Sequence, residues 1–341
     1  MTTRDRIATA ADVAALAGVS IATVSRALRG LPNVTEATRG KVLLAASELR
    51  YRPHPHASRL ASGKTRTIGI ALPMFSQWYF SKVLAGVELV LAPAGYDLLI
   101  LGTSTPEDRR RLVEDADAVR SRVDGLILAG MQVPPEEVPQ WISSGLRVVS
   151  VGQKISGLPS IGIDDAGAAA LAVRHLVNLG HRGIGFIGAR PEDGAHGPPA
   201  ERRRGYAAEL RRQRLRVRGE LQVEAELTVD GGRDAMDRLL SLAALPTAVF
   251  AISDELAVGA IDSVRRHGFE VPRHISVIGL DDHDLAAGLG LTTIRQLPVR
   301  HGRIAAGMLL ADLNGEPASD LHVRDETRLI VRSTTRPLAD P

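Results

Sequence analysis

The 341-residue sequence contains no cysteine, which removes disulfides, thiolate metal sites and any cysteine nucleophile, and fits a reducing compartment. Long apolar runs are missing too. The greasiest stretch, from Val83 to Leu101, is interrupted by Glu88, Pro93 and Asp97 and does not make a membrane span. The N-terminus, Met1-Thr-Thr-Arg-Asp-Arg, leads into an alanine-rich amphipathic pattern instead of an apolar h-region, so no secretory signal and a cytoplasmic location are expected. No G-x-S-x-G nucleophile elbow is present. Lysine is scarce: only Lys41, Lys64, Lys82 and Lys154 among 42 basic residues, which hints at a GC-rich genome and carries no functional information.

What is present is unevenly distributed. The net charge is only +3, yet residues 1–66 hold eleven Lys and Arg against four Asp and Glu, leaving the remainder mildly acidic. A basic head on an acidic body is the footprint of phosphate-backbone contact, although charge alone equally describes a solvated basic surface.

The head reads as three short helices. Thr9 with Asp12 three residues later is a capping-box-like start, and Gly18 a stop; Val13, Leu16 and Ala17 share one face between them. Ser20 caps a second helix with Val24, Ala27 and Leu28 inward, and Gly30, Pro32 and Asn33 form a loop. Thr35 caps a third helix, in which Val42, Ala45, Ala46 and Leu49 recur at helical spacing until Pro53. A tight Gly-containing turn between the first two describes a helix-turn-helix, whose second helix enters the major groove with Ile21, Ala22 and Arg26 toward the bases. The competing reading is a three-helix interaction domain without nucleic acid.

The stretch from Ala11 to Pro73, above all "VSIATVSR", "YRP" and "ASRLASGKT", resembles the opening of the lactose/galactose repressor family of bacterial transcription factors. The resemblance implies a DNA-binding headpiece (1–53), a hinge helix and linker (54–66), and Leu60 in the place of a minor-groove lever. The candidate DNA-contacting set is Ser20, Ile21, Ala22, Thr23, Ser25, Arg26 and Arg29, then Asn33, Thr38, Arg39 and Tyr51, with Ala57 and Leu60 in the hinge. Between Pro55 and Ser62 there is room for about two helical turns, too few to be stable alone in water, so this segment is expected to fold only with a partner hinge and DNA. Leu60 is shaped to pry open a base step, or alternatively to anchor the linker.

From Thr67 short apolar runs alternate with amphipathic helices. Strands are expected at Ile68–Leu72, Tyr96–Leu101, Gly125–Ala129, Val148–Val151, Ile184–Ile187, Ala248–Ile252 and Ser276–Leu280. Helices are expected at Tyr79–Leu91, Glu107–Arg122, Ala168–Leu179, Ala200–Arg214, Arg233–Leu242, Glu255–His267 and Val299–Leu313. Two doubly wound α/β lobes with parallel sheets follow, the chain changing lobe near Ile163–Asp165 and returning near Thr292–Gln296 and Thr327–Val331. "DDAGAAALAVRHLVNLGHRGIGFIGA", "SDELAVGAI", "ISVIGLDD" and "RLIVRSTTRP" resemble the same family, implying a two-lobed, periplasmic-binding-protein-like (type I) sensor core over 67–337 that closes on a small molecule.

Candidate effector contacts sit at strand ends: Tyr79 and Phe80, Ser253 and Asp254, Asp281, and Gln296 on the third crossover. Arg202 matches the family's effector arginine, its planar fork suited to vicinal hydroxyls or a carboxylate. Ser253 serves equally as a helix N-cap, and Tyr79 or Phe80 as core; Ser253 also stands where many family members carry asparagine.

Three patterns are decoys. Gly183-Ile-Gly185-Phe-Ile-Gly188 fits G-x-G-x-x-G but falls within an expected strand instead of opening a helix. "DDHD" at 281–284 has no second ligand cluster, so no metal and no cofactor are expected. The arginine-rich run 202–218 reads as a solvated helix face.

The expectation is a ligand-responsive transcription regulator, a repressor without enzymatic activity. It would bind a pseudo-palindromic operator as a homodimer, associate with the nucleoid only through DNA, and be released by a sugar or sugar derivative. No heptad-like tail is seen, which favours a dimer over a tail-assembled tetramer. The rivals are a purine-type or protein corepressor and, from another class, a sugar-binding protein.

Overall fold

The computed structural model describes residues 8–28, 30–51, 64–131, 138–189, 197–316 and 321–338. The chain divides into two compact units, Met1–Arg66 and Thr67–Pro341.

In the first unit, α1 (Ala10–Ala17), α2 (Ile21–Leu28) and α3 (Glu36–Glu48) enclose a small core of Val13, Ala14, Val24, Ala27, Val42, Ala45 and Ala46. The Asp12 amide donates to Thr9 Oγ1 while the Asp12 carboxylate accepts from the Thr9 amide at 2.8 Å, the reciprocal capping box. Gly18 ends α1 at φ 65°, a left-handed conformation that a side chain would strain. Its sharp turn sets α1 and α2 at 98°, inside the roughly 90–120° range of helix-turn-helix pairs. Ser20 Oγ accepts from Thr23 N at 3.1 Å, and Thr35 Oγ1 from Thr38 N at 3.2 Å, capping the next two helices.

Two details differ from expectation. Leu16 is 49% exposed, and Ala14 takes its place in the core, because a two-turn helix buries only a narrow stripe. The third helix stops at Glu48 instead of running to Pro53: Arg50 turns left-handed at φ 48° and Tyr51 N returns to Ala46 O at 2.8 Å. Pro53, the hinge helix over 55–62, Arg29, Ala57 and Leu60 lie outside the described residues.

The second unit holds two six-stranded sheets. The first comprises β1 (Thr67–Leu72), β2 (Asp97–Gly102), β3 (Gly125–Ala129), β4 (Arg147–Val151), β5 (Ser160–Ile163) and β11 (His322–Asp325), ordered β11-β5-β4-β3-β1-β2 and entirely parallel. The second comprises β6 (Ile184–Ala189), β7 (Gln222–Ala225), β8 (Ala248–Ala251), β9 (Ser276–Asp281), β10 (Thr292–Arg295) and β12 (Arg328–Ile330), ordered β12-β10-β9-β8-β6-β7. Here β12 is antiparallel to β10, an edge departure from the all-parallel expectation.

The helices of the first lobe are α4 (Trp78–Leu91), α5 (Pro106–Glu114), α6 (Ala116–Arg122), α7 (Val138–Ser144) and α12 (Pro298–Leu313). Those of the second are α8 (Asp165–Asn178), α9 (Pro198–Arg212), α10 (Val229–Leu240) and α11 (Asp254–Arg266). The single helix expected over 107–122 is two, broken at Asp115, whose ψ of 41° leaves the helical region. The chain crosses between lobes after β5, after β10 and after β11, so α12 and β11 return to complete the first lobe and Gln296, just past β10, lies on the second crossover instead of the expected third. There Ala305, Ala306 and Leu309 are buried with Val83 and Val87 of α4. Gly86 and Gly302 permit that packing: a Cβ on Gly86 would strike the Val299 carbonyl oxygen, and one on Gly302 that of Val83.

Candidate functional site

Two surfaces with functional character emerge, one per unit. On the first unit, α2 turns Val24 and Ala27 inward, which leaves Ile21 (54% exposed), Ala22 and Arg26 on its outer face. Ser20 and Asn33 are exposed, while Thr23, Ser25, Thr38, Arg39 and Tyr51 are half-buried. Arg39 is committed locally: its guanidinium donates to Ala27 O at 3.1 Å and Leu31 O at 3.0 Å, fixing the loop that leaves α2. Thr38 pairs its hydroxyl with that of Thr35 at 2.8 Å.

On the second unit, a cavity of about 540 Å³ opens between the lobes. Both sheets reverse strand order here, between β1 and β3 and between β6 and β8, and it is the carboxyl ends of these strands that line the cleft. Pro73 and Met74 follow β1, Thr103 and Ser104 follow β2, and Gly130 and Met131 follow β3. From the other lobe come Ala189, Glu226, Leu227, Ile252, Ser253 and Asp281. Gly130 sits at φ 62° with its would-be Cβ 2.6 Å from the Phe80 ring, so this turn both needs glycine and presses Phe80 against the cleft wall.

A polar frame spans the cavity floor. Arg202, on α9, donates from Nε to Asp165 Oδ1 at 2.7 Å and from Nη1 to Ile252 O at 2.6 Å. Gln296 Nε2 donates to Asp281 Oδ1 at 2.5 Å. Burial raises the Asp165 carboxyl against the opposing pull of Arg202. Asp281 is raised well above the usual carboxylate range, first by burial and then by the charges of Asp254 and Glu255, with Arg202 opposing. The backbone at Asp281 is itself strained, at φ 141°. The lobes also touch across the cleft: Gln77 Nε2 donates to Leu227 O at 3.0 Å, and Trp78 N donates to a Glu255 carboxylate oxygen at 3.3 Å. The Glu255 carboxylate thus sits at the N-terminus of α4, where Gln77 supplies no side-chain cap.

The sequence pattern of the family described as "Bacterial regulatory proteins, lacI family" matches residues 3–54, and that of "Periplasmic binding protein-like domain" matches residues 173–335. The HTH-type transcriptional repressor CytR of Escherichia coli (strain K12) is 33% identical, covering 98% of both chains. The chain belongs to the lacI family of bacterial regulatory proteins. Catabolite control protein A of Priestia megaterium is 32% identical over 95% of this chain and 98% of its own. Among solved structures, a lac repressor dimer bound to operator and the anti-inducer ONPF superimposes with TM-score 0.83 at 25% identity, covering 97% of this chain and 100% of that one. A transcriptional regulator CelR–cellobiose complex gives TM-score 0.70 at 28% identity, covering 96% and 99%. The protein is accordingly a ligand-responsive, DNA-binding transcriptional regulator with a helix-turn-helix headpiece and a two-lobed, periplasmic-binding-protein-like core. Among the described residues no single helix is long and apolar enough to cross a membrane.

In this lacI-family core the structure brings Tyr79, Phe80, Arg202, Ser253, Asp281 and Gln296 together around one cavity. Ser253 has two parts to play, lining the cleft and capping α11 through Leu256 N at 3.3 Å. Asp254 is a correction. One step into the helix from Ser253, its carboxylate faces away from the cleft, accepting from Thr293 Oγ1 at 2.6 Å and His283 N at 2.8 Å. It pins β10 and the loop after β9, and burial raises it to about 6 in spite of those two bonds. Asp165 and Glu255 were missed: both follow strand ends, within "DDAG" and "SDEL", but Asp165 meets Arg202 from a neighbouring helix of its own lobe and Glu255 meets Trp78 N across the cleft, pairings that only the fold reveals. Trp78, next to Tyr79, lies outside the cavity lining and packs against His283, ring centres 5.1 Å apart. The "DDHD" carboxylates are matched one by one: Asp281 with Gln296, Asp282 with Arg295 and Arg332, Asp284 with Lys82. Gly185 and Gly188 lie inside β6, where Gly185 packs close to Val249 and Leu239.

Proposed function

We propose that the protein is a repressor that binds a pseudo-palindromic operator as a homodimer and is released when a sugar-like effector fills the cleft between its lobes. The observation that carries this reading is the polar frame of Arg202–Asp165 and Asp281–Gln296 on the floor of a 540 Å³ cavity at the two points of strand reversal. A paired guanidinium and several carboxylates are the groups that hold vicinal hydroxyls. The cellobiose complex of a relative 28% identical supports the sugar class. Tyr79, Phe80, Arg202, Ser253, Asp281 and Gln296 are assigned to the effector, with Asp165 and Glu255 added. Ser20, Ile21, Ala22, Thr23, Ser25, Arg26 and Arg29 are assigned to DNA, within a headpiece of 1–53, a hinge of 54–66 and a core of 67–337. Arg39 holds the loop that orients this helix. The protein performs no catalysis and acts on DNA within the cytoplasm.

The mechanism is linkage: effector binding changes how the two lobes sit, hence whether paired hinges fold on DNA, and a coupling of about 1–3 kcal/mol changes occupancy several-fold. The test selects binding sites from random duplexes with the purified full-length chain, then titrates mono- and disaccharides and nucleosides against the complex. A symmetric site released by a sugar supports the reading. A ligand that tightens the complex assigns a corepressor instead, and failure to select any duplex overturns DNA recognition.

A further inference from the structure

His301, in the first turn of α12, is wholly buried between the effector cleft and the crossovers that join the lobes. Its Nδ1 lies 3.3 Å from the hydroxyl of Tyr79, which lines the cavity. Its Nε2 lies 3.5 Å from Asp325 Oδ2, at the end of β11 where the chain crosses for the third time, within reach of that charge although the two atoms form no hydrogen bond. That carboxylate also meets Arg300 Nε at 3.2 Å, and the neighbouring Arg324 reaches Asp164 at the first crossover, 3.6 Å away. The imidazole therefore joins a cavity wall to the hinge of the core.

The two neutral tautomers differ sharply in this setting. With the proton on Nδ1, the Nε2 lone pair would face a carboxylate, two acceptors opposed in a buried site. With the proton on Nε2, the positive end of the N–H dipole lies near the carboxylate charge and Nδ1 is left as an acceptor. The Tyr79 phenol then has only one role open on that side, to donate. Burial keeps the imidazole neutral, lowering its pKa to about 4, and burial likewise holds the phenol protonated.

We propose that His301 is a positioning residue that locks the Tyr79 hydroxyl as a donor toward the protein and an acceptor toward the cleft, so that the effector presents a hydroxyl or amine hydrogen to Tyr79. Asp165 and Asp281 are further acceptors on the same cavity, and a donor-rich, hydroxylated ligand satisfies all three. The ligand's part in this rests on the cleft being the effector site; the locked tautomer does not.

The experiment is nitrogen NMR of the full-length, ligand-free protein labelled with ¹⁵N-histidine at pH 7, the His301 signals being those lost in His301→Gln. The expected spectrum shows protonated Nε2 and unprotonated Nδ1. Tyr79→Phe, which deletes one oxygen, is expected to move the Nδ1 signal downfield, and Asp325→Asn to admit the other tautomer. Protonated Nδ1 in the unaltered protein, or an Nδ1 signal indifferent to Tyr79→Phe, overturns the proposal. If the spectrum is as expected and no sugar or nucleoside acts on the operator complex, the effector reading fails while the positioning of Tyr79 stands.

Discussion

At the scale of single residues, Glu209 shows how much one carboxylate can organise. It is almost fully buried and accepts from Arg212 at 2.5 and 2.8 Å, Arg174 at 3.2 Å and Gln213 at 2.9 Å. These bonds, that of Arg212 foremost, lower its pKa to about 2 from the model-compound value of 4.5. A depressed carboxyl pKa stabilises the fold above the unfolded value and ceases to do so as pH falls toward the folded one. Because both arginines are about half exposed, Glu209→Gln is expected to cost about 2 kcal/mol at pH 7. The deficit should shrink as pH drops from 4.5 toward about 2, checked by urea unfolding across that range. On the headpiece, Arg26→Ala is expected to weaken specific binding by about 1–3 kcal/mol, and replacing Ile21 and Ala22 to change which operator is preferred. Competition assays with duplexes altered one base pair at a time measure both. An operator preference unchanged by the second replacement would show that the pair only packs.

Elements carry the second level of constraint. The contact of α4 with α12 depends on Gly86 and Gly302 letting two backbones approach. Gly86→Ala would force the Val299 carbonyl aside, and is expected to destabilise the core by about 1–3 kcal/mol, measured as a fall in the urea midpoint with unchanged slope. This pairing was invisible in the sequence, since a helical glycine gives no sign of its distant neighbour. The strands that were legible, such as Gly125–Ala129, are apolar runs flanked by turn residues. The four-residue strands β5, β7 and β11 carry half-buried or exposed positions and no such signature. Strand ends pointed to Asp281 and Gln296 because ligand clefts of doubly wound sheets form there, whereas Arg202, inside α9, was legible only through the family resemblance. The same logic failed at Asp254, where a step of one residue around α11 separates the cap from the interior. It also missed Glu255, whose partner, Trp78 N, lies on the opposite lobe.

For the whole molecule, the uneven charge is the feature with the most direct consequence. A surplus of seven positive charges in residues 1–66, doubled in the proposed dimer, implies operator affinity governed by release of ions from DNA. If six to ten phosphates are neutralised, affinity is expected to fall by about 10³–10⁵ between 50 and 200 mM salt. Fluorescence anisotropy at several salt concentrations gives the slope, and a flat response would contradict phosphate contact by the basic head.

The return of α12 and β11 to the first lobe also bears on how the protein is made. The ribosome finishes β5 at Ile163 long before it reaches Pro298, and at about 5–20 residues per second the delay is roughly 7–27 s. Throughout that interval the nascent first lobe lacks the helix that brings Ala305, Ala306 and Leu309 against Val83 and Val87. The half that emerges first must therefore wait for the last stretch of the message, exposing apolar surface that chaperones recognise. A stalled chain ending near residue 290 is expected to be far more sensitive to protease within 67–163 than one released after residue 338.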